Sequence, residues 1–141
     1  MEILHRHLGV VPYTADDVIT FPLGLLGFLK FKKYLFLQPQ EFLPFQWMVS
    51  IENPEVAFVL MNPSTCCADY NPNITRRDLN ELSAENPQSL EMYSIVTMNL
   101  DARLATVNLS GPILVNKAMK IGKQLVLLDD RYSTKHRIIQ S

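Results

Sequence analysis

Leu90-Glu91-Met92-Tyr93-Ser94-Ile95-Val96-Thr97-Met98-Asn99 is the longest period-two stretch in the chain. Successive side chains of a strand point to opposite faces, so Leu90, Met92, Ser94, Val96 and Met98 share one side and Glu91, Tyr93, Ile95, Thr97 and Asn99 the other. Both sides carry apolar residues, which predicts a strand covered on both faces, near the middle of a sheet. Val56-Ala57-Phe58-Val59-Leu60-Met61 is apolar at every position and too short for an amphipathic helix, so it reads as a second central strand. Outward from these two, further strands are expected at residues 3–7, 18–21, 34–37, 47–51, 105–109, 113–115 and 124–128. Nine prolines punctuate the chain at short intervals between them. Many short strands with frequent turn signals predict an all-β sandwich or barrel.

One short helix is expected at residues 75–84. Thr75 is a suitable N-cap, Asp78 sits in the first turn, Leu79 and Leu82 recur at helical spacing, and Asn86-Pro87 stops the helix. Phe21-Pro22-Leu23-Gly24-Leu25-Leu26-Gly27-Phe28 fits neither element. Pro22 lacks an N–H, and Gly24 and Gly27 permit positive φ, so an irregular loop is expected. Its apolar side chains predict that it is buried and plugs one end of the core. Residues 117–122 read as the tight connection into the last predicted strand.

The 141 residues are read as one domain, 1–141, large enough to bury a core without disulfides. With 48% apolar and 19% charged residues the composition is that of a globular protein. No apolar run approaches the ~18 residues of a membrane span, and the first seven residues do not resemble a secretory signal, so a cytoplasmic location is expected. Cys66 and Cys67 are adjacent, which is neither a disulfide framework nor a zinc pattern. The net charge of −1 hides an uneven distribution. From Tyr34 to Thr75 there is no Lys or Arg, while Glu41, Glu52, Glu55 and Asp69 are acidic. Such a segment repels nucleic acid.

Chemistry-bearing motifs are absent. Gly24-Leu25-Leu26-Gly27 has neither the spacing nor the Lys-Ser pair of a phosphate loop, and no serine lies in a nucleophile elbow. His5 and His7 share one strand face without a third ligand nearby and are expected to be surface imidazoles; His136 is expected in a solvated tail. Asp16-Asp17 and Asp129-Asp130 suit turns better than acid–base catalysis. Trp47, the only tryptophan, is expected to anchor the core. No catalytic residue, cofactor or metal is predicted.

The order of several features resembles the flagellar assembly factor FliW family. These are Ile19-Thr20 leading into the Phe21–Phe28 stretch, residues 34–37, Pro44-Phe45-Gln46-Trp47 with Ser50, and Asn53-Pro54 with Ala57-Phe58. Asn62-Pro63, Asp69-Tyr70, Asn108-Leu109, Pro112-Ile113, Asn116, Gly122-Lys123-Gln124 and residues 132–136 follow. Gly111 replaces the alanine more usual before the proline, and Met48-Val49 a leucine-glutamine pair. The resemblance implies a small antiparallel β-barrel-like domain without catalysis. It further implies two protein partners, flagellin and the RNA-binding translational repressor CsrA, with the factor antagonising the repressor when free of flagellin.

The residues expected to meet a partner are Glu52, Asn53 and Glu55 in the acidic segment, together with Phe45, Asn108 and Asn116. Docking an acidic surface beside an RNA-binding protein would repel phosphate. Two other readings stay open at this point: a small-molecule-binding barrel or enzyme using the interior beside the glycine loop, and direct RNA binding, which the acidic segment disfavours.

Overall fold

The computed structural model describes residues 1–139. Eleven strands form: β1 (Glu2–His5), β2 (Gly9–Pro12), β3 (Val18–Thr20), β4 (Lys33–Leu37), β5 (Gln46–Ser50), β6 (Ala57–Met61), β7 (Glu91–Thr97), β8 (Thr106–Val107), β9 (Ile113–Asn116), β10 (Ile121–Gln124) and β11 (His136–Arg137). The α-helix, α1 (Arg76–Glu81), lies between β6 and β7. Seven strands close a barrel in the order β7-β6-β5-β4-β3-β10-β9 and back to β7. The fold is therefore all-β with one short helix, as the sequence leads one to expect.

β7, the strand from which the reading began, makes closure possible. It pairs with β6 on one side, while on the other its first half, Glu91 to Tyr93, pairs with β9 and its second half with β8. β8 then carries β11 away from the barrel. All these pairings are antiparallel. The exception is the seam between β3 and β10, a parallel contact in which only Ile121 and Thr20 are in register.

Alternation along the strands sends Ile19, Phe21, Tyr34, Met48, Leu60, Tyr93, Ile113 and Val115 inward, where they form one buried cluster with Leu25. Phe21 lies edge-on to Tyr34, with ring centroids 5.4 Å apart, and parallel to Phe36 at 6.3 Å. Burial and the nearby Glu52 charge push the Tyr34 phenol up to about 12. The opposite faces of β4 and β5 bury Leu35 and Val49 against Ile3 of the β1–β2 hairpin, which forms a second layer.

The structure corrects several expectations. Residues 117–122 were expected to be a connection and 124–128 a strand; the last barrel strand instead occupies 121–124. Gly122 reads as a turn residue, yet it sits within β10 because the Phe21 ring fills the space a Cβ would take. β2 and β11 were not expected, the first being bounded by Gly9 and Pro12 and the second lying in a polar tail. That tail is not free of the fold: β11 pairs with β8, and the Tyr132 ring lies edge-on to Tyr70 at 4.7 Å. Trp47 is half-buried on the outside of the barrel, where it contacts Phe42, His5 and His7.

His5 is not a surface imidazole: it is 5% exposed and lies edge-on to Trp47 at 5.0 Å. Its Nδ1 accepts hydrogen bonds from the backbone N–H groups of His7 and Leu8. Burial first, then the charges of His7 and Arg6, hold it below its ordinary value of 6.5. The unfolded chain therefore takes up this proton before the folded one does. Stability from neutral His5 is complete above 6.5 and is lost as pH falls from there through the lower folded value. Urea midpoints measured from about pH 7.5 to about pH 5 are expected to fall, and His5→Asn, which keeps an acceptor and does not titrate, to flatten that fall. An unchanged slope in His5→Asn would assign the pH dependence elsewhere.

Candidate partner-binding surface

The β5–β6 turn holds three of the expected contact residues, and each is shaped by local hydrogen bonds. Ser50 Oγ accepts from the N–H groups of Glu52 and Asn53, and Asn53 Oδ1 accepts from Glu55 N–H. Glu52 reaches across to β4, where its Oε1 accepts from the N–H groups of Lys32 (2.7 Å) and Lys33 (2.9 Å). Its carboxylate thus pins the entry to β4. Glu55 is exposed and lines a shallow cleft with Leu4, His5, Arg6 and Pro54.

The other three lie apart from this turn. Phe45 is half-buried against the Met61, Val96, Val107 and Leu109 cluster. Asn108 Oδ1 accepts from the N–H groups of Ser110 and Gly111, both at 2.9 Å, and shapes the turn before β9. Asn116 is buried; its Nδ2 donates to Leu82 O (2.8 Å) and Ser83 O, holding the C-terminus of α1 to the barrel.

The acidic segment is divided by the topology. Glu52 and Glu55 lie in the β5–β6 turn, whereas Glu41, before β5, and Asp69, after β6, lie toward the other end of those strands. Five-residue strands separate the two ends by roughly 16 Å.

The Phe21–Phe28 stretch is only half the plug the sequence predicts. Phe21 and Leu25 are buried, but Leu23 is 62%, Leu26 60% and Phe28 37% exposed, and the following Leu29 is 59% exposed. The loop folds back on itself: Gly24 N–H donates to Phe21 O, Phe28 N–H donates to Leu25 O, and Leu25 and Phe28 form an isolated bridge. A chain that turns this tightly can send only alternate side chains inward. Gly24 adopts φ +70°, and a Cβ there would lie 2.6 Å from Leu29 O. From the far end of the sequence Gln124 holds the loop, its Oε1 accepting from Leu26 N–H at 2.9 Å and its Nε2 donating to Gly111 O. The result is an ordered ridge of exposed leucines with Lys30, Lys32 and Lys33 just beyond it. Sequence reasoning quoted Gln124 only within the Gly122-Lys123-Gln124 motif and missed this role, because its partners Leu26 and Gly111 are distant in the chain.

The interior beside this loop is filled by Phe21, Leu25 and Phe31. Among the described residues no group of three His, Cys, Asp or Glu side chains is placed to hold a metal ion, and no helix is long and apolar enough to cross a membrane. Burial pushes the Cys66 and Cys67 thiols up, away from the reactive thiolate.

α1 is fixed at both ends. At its start Thr75 Oγ1 accepts from Asp78 N–H while Asp78 Oδ2 accepts from Thr75 N–H. Lys123 Nζ of β10 donates to Asp78 Oδ1 and Glu81 Oε2, each at 2.6 Å. Burial pushes the Asp78 carboxyl up, but the hydrogen bonds from Lys123 and Thr75 outweigh it and hold the group below its usual range. Leu79 and Leu82 pack on Leu114 and Leu125.

The model of the family described as "FliW protein" matches residues 2–138. A flagellar assembly factor FliW of Geobacter sulfurreducens is 37% identical over 136 residues, covering 96% of this chain and 85% of that protein. One of Natranaerobius thermophilus is 35% identical over 137 residues, covering 96% and 91%. The crystal structure of a flagellar assembly factor FliW superposes with a TM-score of 0.94 at 30% identity, covering 100% of this chain and 99% of that one. Motif order, barrel topology and full-length similarity agree: this chain belongs to the FliW family.

Proposed function

We propose that residues 1–141 act as one non-enzymatic flagellar assembly factor in the cytoplasm. The protein binds flagellin and, when free of it, binds and antagonises the translational repressor CsrA, coupling flagellin synthesis to export. The observation that carries the protein-binding reading is the ridge of Leu23, Leu26, Phe28 and Leu29, a cluster of apolar side chains held out of the core by a hydrogen-bonded loop. Exposed apolar clusters on rigid segments serve contact with other macromolecules. A barrel interior filled by its own side chains supports this reading over a small-molecule barrel. A switch of this kind needs only two binding equilibria and the linkage between them.

The ridge is assigned to flagellin and the β5–β6 turn, through Asn53 and Glu55, to the repressor. Phe45, Asn108 and Asn116 support the framework around these surfaces, and Glu52 serves both its own strand and the local negative potential. Direct nucleic-acid binding and membrane binding form no part of the proposal.

Leu26→Glu with Leu29→Glu is expected to weaken flagellin binding about tenfold or more, measured by titration calorimetry, with the urea midpoint preserved because both side chains are exposed. Glu55→Lys tests the repressor surface cleanly, since Glu52→Lys would also remove two backbone hydrogen bonds. Wild-type affinity for flagellin in the first variant and for CsrA in the second would refute the two assignments.

A further inference from the structure

A trough of about 560 Å³ runs over the parallel seam between β3 and β10. Its floor follows from the strand register: Lys33 on β4 is paired with Thr20 on β3, and Thr20 with Ile121 on β10, so the three residues form a row across neighbouring strands. Alternation fixes their direction, since Ile19, Phe21 and Tyr34 fill the interior. Val18, Ile51, Met119 and Pro22 add apolar walls, and Tyr13 and Lys120 also line the trough.

Among the described residues no carboxylate side chain lines the trough. Among the described residues the ion pairs engage other cations, and neither Lys33 nor Lys120 takes part in one. Glu52 accepts from the backbone of Lys32 and Lys33, and Asp17 from Thr14. Asp16 and Asp17 line an adjacent cleft that shares Lys120. Lys120 also holds φ +57°, a conformation that glycine adopts without strain. The turn would close at least as well without its side chain.

We propose that this trough is a docking site for a polypeptide segment that places a carboxylate side chain next to an apolar one. The carboxylate lies between Lys33 and Lys120, and the apolar side chain rests on Val18, Ile51 and Ile121. Charge complementarity selects the anion. The open shape selects a polypeptide: a small ligand is held by burying most of its surface, which a trough open along its length does not do, whereas an extended segment spreads contact over several side chains. The proposal rests on the protein-binding reading above but concerns a different surface from the leucine ridge.

The test is selection of peptides from a random phage-displayed heptapeptide library on the full chain, followed by titration of the synthetic peptides. Selected peptides are expected to carry Asp or Glu within two positions of Leu, Ile, Met or Phe. They are expected to lose about tenfold in affinity on Lys33→Ala with Lys120→Gly and to be unaffected by Leu26→Glu with Leu29→Glu. Lys120→Gly relieves the positive φ, and a thermal melt of the double variant at or above the wild-type value excludes unfolding as the cause. Absence of acidic enrichment, or equal binding by the double variant, would overturn the proposal. So would displacement of the peptides by octanoate at about 0.1 mM, which would assign the trough to a small amphipathic acid. The flagellin and CsrA titrations are separate measurements, so failure of the partner assignments would leave this result readable.

Discussion

Gly122→Ala is expected to lower stability by about 3 kcal/mol, read as a fall in urea midpoint at unchanged slope. An added Cβ would stand 2.4, 2.6 and 2.8 Å from three atoms of the Phe21 ring. The ring cannot retreat, because it is fully buried between Tyr34 and Phe36. Replacing glycine in a strand ordinarily gains about 0.5–1 kcal/mol by restricting the unfolded chain. Here overpacking is the larger effect and sets the sign. Phe21→Leu is destabilising alone, yet it should recover about 1 kcal/mol or more in the Gly122→Ala background, since the two positions share one space. Strict additivity of the two changes would show that the clash is relieved elsewhere.

Asp78→Ala is expected to cost about 2–3 kcal/mol. The carboxylate completes the reciprocal cap with Thr75 and accepts from Lys123, whose side chain is 15% exposed. Losing the cap costs about 1 kcal/mol, and losing a hydrogen bond to a largely buried ammonium about 1–2 more. Glu81 limits the damage by keeping a partner for Lys123. Glu81→Ala, at a side chain 30% exposed, should cost less than about 1 kcal/mol because Asp78 remains. The Asp78 contribution should also depend on pH. Its folded value lies below the ordinary 3.8, so the stabilisation is present above 3.8 and is lost as pH falls through the folded value. Equal costs for the two variants would mean that the cap, and not the buried ion pair, is the lesser part of what Asp78 does.

Residues 90–99 announced a central strand because apolar side chains on both faces have no other stable setting, and β7 is indeed the strand where the barrel closes on itself. Thr75 and Asp78 marked the start of α1 for an equally local reason: a reciprocal cap needs only residues three apart. What stayed hidden depended on partners distant in the chain. Gly122 looked like a turn because nothing near it in sequence shows that the Phe21 ring occupies its side-chain space. His5 looked exposed because Trp47, which covers it, belongs to β5. Asn116 was expected at a partner surface and is found buried against Leu82 and Ser83, serving the end of a helix more than thirty residues earlier. For the leucine ridge the composition of the stretch was legible, but the direction of each side chain was set by the tight bend around Gly24 and by Gln124.

That last contact also bears on when the protein becomes competent. Leu26 and Gln124 are 98 residues apart, and the parallel seam likewise joins β3 to β10. A chain still emerging from the ribosome has β3 and the leucine ridge in hand long before β10 exists to hold them. The ridge and the trough therefore acquire their shape together, once β10 has been made, so that shorter chains carry the leucines without the geometry that presents them.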